Sequence, residues 1–391
     1  MRWLVEGSVA RSGDRIRITA QLVEGATDQQ VWAGQYERDV RDILALQNEV
    51  ARKVAAEVHA VVTPEEVLRL ARAPRVDPGA YRAYVLGLHH FDRVTPADFR
   101  RCVQLFEEAI SLDPAFARAH AALAFAYGIA AEYGWVSRAE AAPLAERAAS
   151  AVQRLDPGSG HAYHALANVQ FHIQRDFAAA EESYRKASAL ESSAYVLFGY
   201  GWLLSQTGRH AEAVAALQEA VDLDPRSPLM HGDLGWWLYG ARQFERAIAE
   251  ARLATDLDPS FPEAYWLLAA AHAQQGRFDL ALQEFERYES LYGSPVLWFR
   301  GYFRALAGRR EEALRDLGEL KRHVERRESP RVELAQVYLV LGDRERVLET
   351  LEQSPAAGVS FQPYLWPEYE AYHSDPRFLA ILGKFGLPPP P

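Results

Sequence analysis

The sequence is poor in cysteine, in basic charge and in long apolar runs. Its 391 residues contain one cysteine, Cys102, so no disulfide can form within the chain, and a reducing compartment is indicated. The 43 basic residues are outnumbered by 53 acidic residues, which gives a net charge of −10. This balance argues against a surface that binds nucleic acid or anionic membranes directly.

Long apolar segments are also scarce. The most apolar stretch, residues 115–134, is interrupted by Arg118, His120 and Glu132, so it predicts a buried helix pair rather than a membrane span. The first residues do not place a charged segment before an apolar one, and no secretion signal is expected. These features predict a cytoplasmic protein.

Residues that could support catalysis or bind a metal lack the spacing that these functions need. His161 and His164 lie at the start of a repeat without converging Cys or Asp ligands. Cys102 occupies a small-residue position with no basic partner in view. The Gly-Ser-Gly run at 158–160 follows Asp-Pro in a turn and does not form a phosphate-binding loop. The sequence therefore predicts that the protein is not an enzyme and holds no cofactor or metal.

What the sequence does contain is a repeat. Five similar segments start 34, 34, 32 and 34 residues apart: GRHAEA at 208–213, RQFERA at 242–247, GRFDLA at 276–281, GRREEA at 308–313 and GDRERV at 342–347. Such a period is typical of a solenoid of helix pairs, in which each unit buries its apolar face by stacking on its neighbours. A solenoid presents a long surface to partners.

A second set of positions keeps the same frame. Each unit ends at a Leu, followed in most units by Asp-Pro, which cannot continue a helix. Ten residues earlier stands a small side chain, where two helices can approach closely. The small residues are Cys102, Ala145, Ala180, Ala213, Ala247 and Ala281, and the terminal residues are Leu112, Leu155, Leu190, Leu223, Leu257 and Leu291. About eight such units are expected in residues 80–355.

These features resemble the tetratricopeptide repeat. The small residues and closing proline of that family match Gly201, Ala213 and Pro225, and the next unit repeats all three 34 residues later. Later units keep less of the pattern, since Gly293 stands where a proline is expected. The resemblance implies a mainly α, right-handed helix-pair solenoid that acts as a general binding scaffold.

The first sixty residues follow a different pattern, because apolar and polar side chains alternate. They predict a β-hairpin with its turn at 12–14 and a third strand at about residues 29–36. A helix that Asp39 would cap is expected to follow, to about Val61. The array is therefore preceded by a small α+β module of three strands and one helix.

The hairpin sequence, with Trp32, Ala33 and Tyr36, resembles the second half of the TolB-like amino-terminal domain of bacterial proteins that carry tetratricopeptide repeats. In that family the segment commonly lies between an upstream effector and the repeats. The effector is a nucleotide cyclase, a winged-helix regulator or a protein kinase. The resemblance implies a role in bacterial signalling or regulation.

These patterns divide the chain into four parts: a partial TolB-like domain at 1–62, a connector at 63–79, the repeat array at 80–355, and a cap with a proline-rich tail at 356–391. The first strand starts at the chain's end with no neighbour before it, so a homodimer through the hairpin, or docking of the hairpin on the first repeats, is expected.

One group of side chains indicates a binding surface. In tetratricopeptide arrays, positions two, five, nine and twelve of each first helix line the inner face. Here those positions form an aromatic stripe of eight residues: Tyr195, Phe198, Trp202, Trp236, Tyr239, Trp266, Trp298 and Tyr302. The alternative is that the rings only pack between helices. The stripe carries no Lys, Arg or Asn, so a clamp for a terminal carboxylate is not expected.

Three functions are compatible with these observations. The first is a non-catalytic scaffold that holds an apolar or proline-containing protein segment on the aromatic stripe. The second is a receptor array in which a small ligand or peptide controls an upstream effector. The third, an enzyme, has no supporting motif. A fit of the proline-rich tail at 386–391 into the groove is a further possibility, beside a frayed terminus.

Overall fold

A computed structural model gives the fold. The structure describes residues 3–13, 15–24, 27, 29–39, 42, 46, 49–50, 53–54, 56–57, 76–293, 295–326, 329–354 and 362–390. Most of the predicted connector at 63–79 and of the predicted helix after Asp39 lies outside these residues. The chain divides into two compact units, one made of residues 1–85 and 107–116 and the other of residues 86–106 and 117–391.

Three antiparallel strands form a sheet in the first unit: β1 (Trp3–Ser12), β2 (Arg15–Glu24) and β3 (Gln29–Asp39), in that order. Ser12 pairs with Arg15 across a two-residue turn, in which Gly13 adopts a φ of +59°. The predicted hairpin is confirmed. Its inner positions follow the period of two, since Ile16, Ala20 and Leu22 are buried.

The third strand is longer than predicted. It continues three residues past Tyr36 because it stays paired with β2 as far as Arg15. Opposite charges favour this extension, since the guanidinium groups of Arg15 and Arg17 lie 3.3 and 3.5 Å from the Glu37 carboxylate. Asp39, predicted as a helix cap, is the last residue of this strand. On β1, Val5 and Val9 are exposed, and pairing of this strand with a second copy stays a prediction.

Sixteen helices in the described part of the chain form eight successive pairs, and the predicted helix-pair solenoid is confirmed. The pairs are α1 (Pro78–Phe91) with α2 (Pro96–Leu112), α3 (Ala117–Glu132) with α4 (Arg138–Leu155), α5 (Gly160–Asn168) with α6 (Phe177–Leu190), α7 (Ala194–Gln206) with α8 (His210–Leu223), α9 (Pro228–Gly240) with α10 (Phe244–Leu257), α11 (Pro262–Gln274) with α12 (Phe278–Tyr292), α13 (Leu297–Leu306) with α14 (Arg310–Glu325), and α15 (Val332–Leu341) with α16 (Arg344–Gln353). A π-helical turn (Val169–Gln174) prolongs α5.

The turns within these pairs explain the repeated glycine. Gly208, Gly276, Gly308 and Gly342 all have φ between 72° and 79°, the left-handed region that glycine enters without strain. Arg242, the residue in this frame that is not glycine, adopts the same conformation with a φ of 62°. The repeated glycine therefore marks a position at which the backbone adopts the left-handed conformation.

The small residues of the frame lie where helices cross. Ala213 and Ala247 are fully buried. A Cβ atom added to Gly201 would lie 2.0 Å from Leu217 Cδ2, and one added to Gly235 would lie 2.3 Å from Leu267 Cδ2. These contacts let the first helices of successive pairs pack side by side as one layer of the second unit, α7 against α9, α9 against α11 and α11 against α13.

The chain then turns back on that layer. Residues 362–372, here called the C-terminal strap, include a 3₁₀ helix (Pro367–Tyr372) and precede the short helix α17 (Pro376–Lys384). Tyr364, Leu365 and Trp366 of the strap are at most 5% exposed, and Leu387 after α17 is also buried.

Candidate functional site

The aromatic stripe lies on the first helices of four successive pairs, α7, α9, α11 and α13. The structure brings Phe198 and Trp202 of α7 together in one group of rings, and Trp236, Tyr239 and Trp266 of α9 and α11 in another. Trp236 and Trp266, from neighbouring pairs, have ring centroids 4.2 Å apart, and Phe198 lies 5.9 Å from Trp202. Tyr195, Trp266 and Trp298 are half-buried. Five members are buried, namely Phe198, Trp202, Trp236, Tyr239 and Tyr302.

The C-terminal strap covers part of the stripe. Trp366, itself 3% exposed, lies over five members of the stripe. Its ring centroid is 5.2 to 6.3 Å from those of Trp236, Tyr239, Trp266, Trp298 and Tyr302. The rings are therefore not packed between helices alone, because part of the stripe forms a surface that the strap covers.

Sequence reasoning missed the strap. It assigned residues after 355 to a cap and a tail, and it gave Trp366 no role. A signal was present, since residues 363–367 read Pro-Tyr-Leu-Trp-Pro, an apolar and proline-containing segment of the type expected to bind the stripe.

Polar contacts fix the path of the strap. His210 Nε2 lies 3.0 Å from the Tyr364 carbonyl oxygen, and Arg242 Nη1 donates to the Leu365 carbonyl at 2.8 Å. Gln274 Nε2 and the Tyr302 hydroxyl donate to Glu368 Oε1 at 2.8 and 2.7 Å. The groove thus offers donors to main-chain carbonyls and to a carboxylate of the segment that it holds.

The tail beyond α17 is also bound within this unit. The Tyr364 hydroxyl donates to the Pro388 carbonyl, and Arg175 Nη2 lies 3.5 Å from the Phe385 carbonyl oxygen. Residues 386–390 therefore lie beside the strap rather than across the aromatic stripe.

A cavity of about 190 Å³ adjoins the strap. Six of the nine tryptophans of the chain line it: Trp202, Trp236, Trp237, Trp266, Trp298 and Trp366. Tyr133, directly after α3, and two tyrosines of α12 complete the aromatic part of its wall. Asp233, Glu333 and Gln336 contribute polar groups. A smaller cavity of about 20 Å³ shares Asp233 and also contacts Glu263.

Three carboxyl groups around the two cavities have raised pKa values. Burial raises the pKa of Asp233 and Glu263 well above their usual ranges, and the negative charge of Asp233 adds to the shift at Glu263. Burial also raises the pKa of Glu333 to about 8, against a hydrogen bond from Ser329 that lowers it. No described residue forms an ion pair with any of these three carboxyls.

Glu132 behaves in the opposite way. Burial disfavours its charge, but Arg175 at 3.0 Å, His172 at 3.5 Å and Arg138 at 3.6 Å stabilise the carboxylate and lower its pKa to about 2. Glu132, Arg138 and His172 are buried and Arg175 is half-buried. The cluster joins α3, α4 and the π-helical turn as a structural ion network.

Cys102 and His164 are not among the residues that line the two cavities. Cys102 is buried, its Sγ donates to the Phe99 carbonyl, and burial raises the pKa of the thiol to about 12. His164 is buried and its pKa is lowered by burial to about 3. Among the described residues, no three His, Cys, Asp or Glu side chains converge as a metal site. None of the described helices is long and apolar enough to cross a membrane.

Comparison with known proteins agrees with the repeat frame. Residues 174–228 and 233–294 match the family model described as tetratricopeptide repeat. The fold is similar to that of a monomeric mutant of IFIT1 solved with Gppp-AAAA, with a TM-score of 0.53, 17% identity, and coverage of 86% of this chain and 81% of that one. At this identity the likeness concerns the fold alone.

Two curated relatives match shorter stretches. A putative adenylate cyclase 3 of Rhizobium meliloti is 35% identical over 126 residues, which is 32% of this chain and 21% of the relative. The transcriptional regulator HilA of Salmonella typhimurium is 25% identical over 143 residues, 36% of this chain and 26% of the relative. The matches thus span about a quarter of the length of these relatives or less. The array is of a type that serves as a protein-interaction scaffold.

Proposed function

We propose that the protein is a non-catalytic scaffold that binds an apolar, proline-containing protein segment on its aromatic stripe. The observation that supports this is the C-terminal strap. The strap forms a turn before its 3₁₀ helix, and it carries Pro363 and Pro367. His210 and Arg242 contact its main-chain carbonyls, which a partner segment also possesses. The strap then acts as an internal ligand that a partner must displace.

A labelled peptide with the sequence of residues 362–372 tests this function on the full chain. In the native chain the covalent strap competes with the peptide, so weak binding is expected by fluorescence anisotropy. Trp366→Ala removes the ring that covers five stripe residues and should strengthen peptide binding. In that background, Trp236→Ala should weaken it by about 2 kcal/mol, which is about 30-fold.

Trp32→Ala in the N-terminal sheet serves as the control, because this residue belongs to β3 of the other unit. It should leave peptide affinity unchanged. Equal peptide affinity for the Trp366→Ala chain with and without Trp236 would refute the stripe as the binding surface.

A second candidate is a receptor array that senses a small ligand and controls an effector outside this chain. The tryptophan-lined cavity beneath the strap favours it, because a ligand there would contact both the helices and the strap. The partial matches to a putative adenylate cyclase and to a transcriptional regulator support the bacterial, cytoplasmic signalling context. The TolB-like nature of the N-terminal module belongs to this proposal as well.

A further inference from the structure

The cavity beneath the strap has the composition of a cation-binding box. Its wall is formed mainly by the rings of Trp202, Trp236, Trp266, Trp298 and Trp366. The faces of aromatic rings carry negative potential, and tryptophan attracts organic cations most strongly. Apolar cavities of about 150 Å³ accommodate benzene, so a cavity of about 190 Å³ admits a ligand somewhat larger than benzene.

Three acidic groups beside these rings have no cationic partner in the described part of the chain, whereas Glu132, which also lines the cavity, is paired with arginines. Asp233 and Glu333 line the cavity, and Glu263 adjoins it at 4% exposure, with its Oε1 atom buried and without a hydrogen bond. Burial favours the protonated form of these carboxyls, and a cation beside them favours the ionised form. The nearby guanidinium groups of Arg138 and Arg175 are directed at Glu132 instead.

Other polar atoms around the cavity also lack partners. Gln336 is 7% exposed and lines the cavity, and its buried Oε1 atom makes no hydrogen bond. The indole nitrogens of Trp202, Trp236 and Trp266 are buried without acceptors. Because this carbonyl oxygen and these indole N–H groups are buried without hydrogen-bond partners, they favour a ligand that carries a small polar group.

We propose that this cavity binds a small organic ammonium cation that carries alkyl groups and a hydroxyl group. The aromatic rings surround the alkylated ammonium, and the unpartnered amide and indole groups bind the hydroxyl. Asp233 and Glu333 release their protons to solvent as the cation enters and then supply the negative charge. An anionic ligand would find no cationic group among the three carboxyls and would oppose their ionisation. A neutral apolar ligand would leave these groups without partners.

This inference rests on the second candidate function, the ligand receptor, and names the chemistry of its ligand. Binding to the stripe is assayed separately with the labelled peptide, so failure of either experiment is distinguishable from failure of the other.

The test uses choline and its uncharged isostere 3,3-dimethylbutan-1-ol on the full chain. Six tryptophans line the cavity, so intrinsic fluorescence reports occupancy, and calorimetry gives the affinity. Choline should bind at least ten times more tightly than the isostere. Betaine, in which a carboxylate replaces the hydroxymethyl group of choline, should bind more weakly than choline. Equal affinity for choline and the isostere, or no binding of choline, would overturn the proposal without any variant.

Variants then locate the site. Asp233→Asn should weaken choline at least tenfold and leave the isostere unchanged, whereas Asp256→Asn on the exposed face of α10 should change neither. If Asp233→Asn does not fold, Trp298→Leu replaces it, since this ring is half-buried and lines the cavity. Choline binding that is unaffected by the folded variant contradicts the assignment.

Discussion

At the scale of single residues, two arginines take over the turn position that glycine holds in most repeats. Arg175 and Arg242 have φ values of 59° and 62°, and a left-handed conformation of this kind costs about 1–2 kcal/mol outside glycine. Both guanidinium groups contact the chain's C-terminal region, Arg175 at the Phe385 carbonyl and Arg242 at the Leu365 carbonyl and Glu370. The repeat frame identifies Arg242 as the residue that replaces glycine. Its contact with Leu365, 123 positions away, has no local sequence signal.

Glu132 is predicted to be a strong determinant of stability. Glu132→Gln removes the negative charge that Arg138 and Arg175 share, and it leaves two guanidinium groups close together with little solvent. We expect a loss of about 3–5 kcal/mol in the free energy of unfolding at pH 7, measured by urea denaturation. Glu140→Gln on the exposed start of α4 should cost far less, and equal losses in both variants would contradict the role given to the buried network.

Glu333 makes the stability of the folded chain depend on pH, and the sign is opposite to that of an ordinary ion pair. Its pKa of about 8 in the folded chain lies above the value of an exposed glutamate, about 4.3. The folded state therefore binds more protons between these two values, and its stability falls as pH rises from about 4.5 to 8. Denaturation midpoints across this range should drop less steeply in Glu333→Gln than in the native chain. If the denaturation midpoints of the two proteins fell in parallel as pH rises, Glu333 would not titrate as described.

At the scale of the element, the sequence was informative wherever local geometry is decisive. The turn at Gly208 and the crossing at Ala247 follow from backbone conformation and side-chain size, and both can be read from a repeat. The length of β3 depended on charges across the sheet, and the cover over Trp236 depended on a segment more than a hundred residues away. The candidate site was thus predictable as a stripe but not as a covered groove.

Ala247→Leu tests the helix crossing. Ala247 is fully buried on α10, and its carbonyl oxygen would lie only 3.2 Å from a Cβ atom at Gly235. A larger side chain there forces the two helices apart, and we expect a loss of about 1–3 kcal/mol in the free energy of unfolding. Ala216→Leu on α8, where the residue is only partly buried, is the matched substitution. An unchanged denaturation midpoint for Ala247→Leu would contradict the crossing.

At the scale of the whole molecule, the strap changes what a solenoid is expected to do. Contacts in a repeat array are mostly between neighbours, so its units tend to unfold in coupled groups. Here the His210 contact to Tyr364 and the Arg175 contact to Phe385 join residues 154 and 210 positions apart. The second unit therefore combines contacts between neighbouring repeats with contacts between residues that are far apart in the sequence.

Trp366→Ala tests how much these long-range contacts contribute to cooperative unfolding. Removing a buried tryptophan costs about 3–5 kcal/mol, and without it the repeats under the strap should unfold less cooperatively than in the native chain. Urea denaturation followed by circular dichroism is expected to show an earlier and broader transition. Trp32→Ala in the sheet should leave the breadth of the helical transition unchanged, and a transition equally sharp in Trp366→Ala would indicate that the strap carries little of the coupling.

The position of the strap in the chain has a consequence for biosynthesis. Residues 362–372 leave the ribosome after every helix that they cover, so the tryptophan-rich face of α9, α11 and α13 is complete before its cover has been translated. During that interval the nascent protein displays a broad apolar surface to chaperones and to any partner already present. A partner that engages the nascent chain would meet the groove without competition from the strap.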